Sequence, residues 1–171
     1  TNTALAAVGG ATGQLVNLFV GFFIGLSSGC GVIISQYYGA RDQNAVSKSV
    51  HTALAFSLLS GVVIMVLGLL LTDFSLRAMS LPEEIMPEAT AYLHIFFLGS
   101  IPNLFYNMGS AVLRAIGDSK RPLYFLILSC LCNIVLDLIF VAYLRLGVSG
   151  AALATILSQL ASAVMVLFVL L

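Results

Sequence analysis

The segment PLYFLILSCLCNIVLDLIFVAYL, residues 122–144, runs for 23 residues with a single charge, Asp137. A helix needs roughly 20 apolar residues to cross the ~30 Å hydrocarbon core of a bilayer, so this stretch is long enough to span it. Its apolar residues do not alternate with period two, which excludes a barrel strand. Residues 1–40, 49–72, 89–113 and 146–171 are likewise free of Asp, Glu, Lys and Arg. The charges therefore cut the chain into five blocks, each able to span. The pattern predicts an all-α polytopic membrane bundle, one transmembrane domain over residues 1–171, with helices near 13–38, 47–72, 87–114, 121–145 and 149–171. Gly39, Pro82, Pro87, Gly117-Asp118 and Gly147 fall where these helices should stop or start.

Composition agrees. Of 171 residues 60% are apolar and 8% charged, against about a quarter charged in a soluble domain. A mean hydropathy of +1.09 leaves too little polar surface for a globule and far too much apolar surface for a disordered chain. Zero net charge excludes a nucleic-acid binder, which needs a basic face. Cys30, Cys130 and Cys132 lie in apolar runs without a Cys-x-x-Cys or His partner, and read as small buried hydrophobes.

Lys and Arg in short loops set orientation. The 41–48 and 114–121 loops hold five of them, against two in the 73–88 loop and at Arg145. The first pair is thus expected in the cytoplasm, with the first helix descending from outside. A start at Thr1 without an initiator Met or basic leader reads as a fragment whose upstream helix is missing.

Asp137 is the outlier. A mid-span carboxylate costs at least about 2.5–3.5 kcal/mol on insertion scales and usually marks an ion or proton path. A protonated Asp bonding a neighbouring helix is the alternative. Asn133, one turn earlier, shares its face and can orient the carboxylate or lend an oxygen to a hard cation; alone it would be packing glue. Thr155 lies at a matching depth across the outer turn, and the small residues Gly150 to Ala154 let the last two helices press together. A Thr bonding its own i−4 carbonyl is the competing reading. Gly21, Gly25 and Gly29 read as a close-packing face. Asn103, Tyr106 and Asn107, beside Pro102, suggest a helix that lines something wet. Tyr92 suits an interfacial aromatic. His51 and His94 read as solvated or capping groups. No Gly-x-Ser-x-Gly elbow or Ser-Lys pair supports an enzyme.

Four segments carry a resemblance: LAAVGGATGQLVNLFVGFFIGLSSGCGVIISQYYGARD (5–42), AVLRAIGDSKRPLYF (111–125), NIVLD (133–137) and GVSGAALATILSQ (147–159). Together they resemble the multidrug and toxic compound extrusion (MATE) antiporters. The resemblance implies helices two to six of the amino-terminal lobe of a twelve-helix transporter, and as partners the bilayer, an absent first helix and a carboxy-terminal lobe. It implies exchange of Na⁺ or H⁺ for a small organic cation across the plasma membrane, without another cofactor. It places the cation site on Asn133, Asp137, Thr155 and the Ala151 carbonyl, with Tyr92 and Asn107 joining the network. If the ion is Na⁺, its ligands would be Asp137, Asn133 and Thr155. A lipid-linked precursor flippase of the same superfamily would need basic residues inside the membrane, and none lies there. A non-transporting assembly subunit would leave Asp137 without a role.

Overall fold

The computed structural model describes residues 10–170, and among these every regular element is helical. In chain order they are α1 (Ala11–Gly39), α2 (Gln43–Ala78), α3 (Met86–Leu98), α4 (Ser100–Ala115), α5 (Lys120–Asp137) and α6 (Gly147–Leu170). A π-helical segment, Leu138–Tyr143, extends α5. Four spans are continuous, long and apolar enough to cross a membrane by themselves: α1, α2, α5 with its π extension, and α6.

The expected third helix, 87–114, is instead two helices broken at Gly99. Pro102 explains the break: it has no N–H to offer the Leu98 carbonyl, so the ladder lapses there. The Ser100 hydroxyl also shares its one proton between the Phe97 carbonyl (2.7 Å) and the Gly61 carbonyl of α2 (3.1 Å). Gly99 allows α6 to approach, since a Cβ there would stand 2.5 Å from Ile156 Cγ1.

Boundaries differ elsewhere for identifiable reasons. α1 does end at Gly39, but the left-handed residue of its stop is Arg41, at φ 58°. The Asp42 N–H returns to Tyr37 and the Arg41 N–H to Tyr38, the paired bonds of a left-handed helix stop. Asp42 Oδ1 then accepts from the Ala45 N–H (3.0 Å) and caps α2. At 36 residues α2 is about 54 Å long and carries Asp73 and Arg77 within its last turns rather than in a loop. Gly117, at φ 92°, ends α4 by the same paired bonds.

The centre of the bundle is α4, which packs on α1, α2 and α6, while α5 leans on α6 and barely touches α4. One apolar cluster joins Leu76, Ala89, Leu93, Phe96 and Phe97; a second joins Ile34, Ala53, Met108 and Val112. The three cysteines are free, but Cys130 is exposed and Cys30 and Cys132 half-buried. Cys130 and Cys132 are not core residues, because most of the α5 circumference meets no other helix among the described residues; Cys30, on α1, packs at the edge of the Ile34–Met108 cluster. Gly21, Gly25 and Gly29 also depart from expectation: nothing among the described residues lies within 4 Å of a Cβ at any of them. Close approach is made by Gly61, Gly68, Gly99, Gly109 and Gly150 instead.

Candidate functional site

Three contacts fix how α5 and α6 face each other. Buried Ser129 donates to the Ser158 carbonyl (2.8 Å). Asn133 Nδ2 reaches Thr155 Oγ1 at 3.5 Å. Near the turn between the two helices, a Cβ at Gly150 would touch the Phe140 carbonyl carbon at 3.2 Å. Chain order is opposite on the two helices, so Asp137, between Asn133 and Phe140, lies level with Ala151 and Ala152. Thr155 Oγ1 meanwhile donates to the Ala151 carbonyl (2.9 Å). The i−4 bond and the link to α5 thus coexist: the hydroxyl has one proton to give and lone pairs left to accept.

The structure therefore brings Asn133, Thr155 and Ala151 into one chain of polar contacts and sets Asp137 one turn from Asn133 on the same helix. Asp137 is half-buried, yet its Oδ1 is fully buried with no hydrogen-bond partner among the described residues. An unpaired carboxylate oxygen in a dry setting is costly, so it calls for a cation, a proton or a donor. The donors to hand are all oxygens: a carboxylate, an amide carbonyl, a hydroxyl and a backbone carbonyl. That set suits a hard cation.

Tyr92 and Asn107 separate. Gly99 meets Ile156 and Gly109 meets Val166, so the α3–α4 run and α6 lie parallel and in phase. Tyr92 then stands within about 5 Å of the Asp137 level along the bundle axis, and Asn107 about 18 Å deeper. Tyr92 is packed against the Leu93–Phe97 cluster. Asn107 Nδ2 donates to Asn103 Oδ1 (2.7 Å) and to the Asn103 carbonyl (2.9 Å), a pair within α4 well below the Asp137 level. The Tyr106 hydroxyl donates to the Pro122 carbonyl (3.1 Å) and ties α4 to the start of α5. Of the two histidines, His51 turns Nδ1 to the Ser47 carbonyl (2.8 Å), and His94 is half-buried on α3.

Sequence reasoning missed two features beside the site. Ser129 is an interhelical tie, and its only signal was a small polar residue one turn before Asn133. The π turn begins immediately after Asp137, with the Leu144 N–H bonded to the Ile139 carbonyl (2.9 Å); π turns often accompany functional positions.

A helix pair with a mid-span Asp, an Asn one turn before it and a Thr across from it is the arrangement against which known proteins can be compared. The sequence model of the MatE family matches residues 2–139. The chain belongs to the MatE family. It is 38% identical over 150 residues to the "Probable multidrug resistance protein YoeA" of Bacillus subtilis, covering 85% of this chain and 32% of that protein. The "Probable multidrug resistance protein YpnP" of the same organism is 37% identical over 147 residues, covering 85% and 33%. A structure described as "Crystal structure of MATE in the bent conformation" superimposes with a TM-score of 0.92 at 32% identity, covering 98% of this chain and 37% of that one. The chain thus spans about a third of the length of these MatE relatives. The family is one of membrane transporters rather than enzymes, and this all-helical bundle has the MATE fold.

Proposed function

We propose that this MatE chain forms part of a cation-coupled antiporter of the plasma membrane, in which Na⁺ or H⁺ bound around Asp137 drives export of small organic cations. One observation carries the reading: a mid-span carboxylate oxygen buried without a partner among the described residues, beside the Asn133–Thr155–Ala151 contacts. A cation or proton removes most of the cost of that oxygen, so the occupied and empty sites favour different surroundings. Coupling follows when ion and drug bind the two states of the transporter with different affinity. The opposite wall of the path comes from an upstream helix and a second lobe, because alternating access needs two bodies moving about a shared site. In this reading the 41–48 and 114–121 loops face the cytoplasm.

The test is Asp137→Asn in the full-length transporter. Asn is close in shape and cheaper to bury, so folding and insertion persist. Drug efflux against an imposed Na⁺ or pH gradient should fall to background at matched expression. Efflux at the wild-type rate would make Asp137 a packing residue and move the ion site elsewhere.

A further inference from the structure

The grooves along the bundle differ in chemistry. One, between α2, α4 and α6, is lined wholly by apolar side chains such as Leu58, Phe105 and Leu160, and nothing in its lining selects an occupant. Another, between α1 and α4, is walled by Ser28, Ser35 and Arg114 and is too polar for a hydrocarbon chain. The groove between α1 and α2 combines both characters in order. Its floor is Ile33 and Ile34 from α1 and Ala53 and Phe56 from α2; its rim on α2 carries Lys48 and Ser49, around a volume of about 240 Å³.

Lys48 is exposed, and the ion pair formed among the described residues joins Arg121 to Asp118, not Lys48. The acid closest in sequence, Asp42, is engaged at the α2 cap through Ala45. Arg41, exposed in the same turn, adds a second positive charge at this end. From Lys48 to Phe56 the groove runs about 12 Å down α2, from a cation beside a helix end, past Thr52, toward the apolar side chains of Ala53 and Phe56. That sequence of polarities is the one a phospholipid presents.

We propose that the α1–α2 groove binds an anionic phospholipid, its phosphate against Lys48 and Ser49 and one acyl chain laid along Ile33, Ala53 and Phe56. The cation selects negative headgroups over zwitterionic ones, and the apolar floor distinguishes a lipid from free phosphate. The site is independent of the ion site at Asp137, so an Asp137→Asn transporter keeps it.

The experiment places the full-length transporter in phosphatidylcholine nanodiscs containing a minority of phosphatidylglycerol with a photoactivatable acyl chain. Cross-links are expected in peptides covering residues 30–34 and 53–56. Lys48→Gln should lower them about fivefold, the worth of one basic residue near an anionic surface. Thr52→Trp, which fills the groove from an exposed position, should abolish them. Lys48→Gln removes no ion pair among the described residues, so it reads binding even if the Trp variant fails to fold. Uniform labelling around the bundle, equal capture of a phosphatidylcholine probe, unchanged labelling in Lys48→Gln, or no labelling of wild type because another part of the transporter covers the groove would each overturn the proposal. Labelling that persists in Asp137→Asn separates this site from the transport reading.

Discussion

A methyl group added at Gly68 would fall 2.2 Å from Cδ1 and 2.3 Å from Cγ of Phe97, where ordinary contact begins at 3.4 Å. More than 1 Å of separation must therefore be created between α2 and α3. The ring cannot supply it. Phe97 is 3% exposed, meets Phe19 edge-on at 5.0 Å and 89°, and stands 5.6 Å from Phe96. Just beyond Phe97, the start of α4 is also held to α2 by Ser100 on the Gly61 carbonyl. Overpacking a tight core costs typically about 1–3 kcal/mol, and a rigid ring at this distance belongs at the upper end. Exchanging Gly for Ala inside a helix returns up to about 1 kcal/mol. Gly68→Ala should thus destabilise by about 2 kcal/mol, whereas Gly39→Ala, with nothing within 4 Å, should be neutral or mildly stabilising. Denaturation of the full-length protein in mixed micelles by titrated dodecyl sulfate measures the difference. Phe97→Leu should recover part of the loss in the double variant, since contacting residues couple. Equal stability of the two Ala variants, or no recovery with Phe97→Leu, would refute the close-approach argument.

Two further outcomes test the site and its orientation. Asn133→Ala and Thr155→Ala should each weaken ion binding about tenfold without ending it, neutral ligands being weaker than the charged one; Asn107→Ala, about 18 Å deeper by helical rise, should change it less than twofold, and isothermal titration with Na⁺ or H⁺ compares the three. Cysteines placed at 83 should react with an impermeant thiol reagent on intact cells, while those at 41 and 120 should not; the opposite pattern would reverse the proposed orientation.

What was legible in the sequence follows from the range of each physical signal. Burial in lipid needs only composition along one segment, so the charge-free runs announced spanning helices without any knowledge of neighbours. Asp137 stood out for the same reason, because the cost of a mid-span carboxylate does not depend on which helix faces it. Pairwise features were harder. Gly21, Gly25 and Gly29 have the spacing of a packing face, yet the described residues leave them uncovered, while Gly68 and Gly109, which lack that spacing, make the closest approaches. Spacing on one helix says that a neighbour can come close, not that one does. Asn107 was grouped with Asp137 by resemblance, but the parallel register of α4 and α6 sets it well below. Arg41 illustrates a third limit: α1 ends at Gly39, yet the left-handed residue is not that glycine but Arg41, where bonds to Tyr37 and Tyr38 complete the stop.

The geometry around Asp137 depends on one hairpin more than on the bundle. With α5 scarcely touching α4, the position of the carboxylate among the described residues is set chiefly by α6, through Ser129 on the Ser158 carbonyl at one end and the Gly150 approach to Phe140 at the other. Between these two points lies the change from α to π winding. It begins at Leu138, so Asp137 is the last residue whose direction is fixed by the tighter α ladder, and each residue beyond it is displaced around the axis. The Leu146 N–H closes the segment on the Phe140 carbonyl (2.9 Å), the same residue that Gly150 lets α6 approach. A side chain at Gly150 would push against that carbonyl carbon and against Leu146 Cβ at 2.9 Å, loosening the hairpin just where Ala151 comes level with Asp137. In the proposed ion site, the absence of a side chain at Gly150 therefore does what a ligand residue does not: it sets how closely α6, with the Ala151 carbonyl, approaches the end of α5 that carries Asp137.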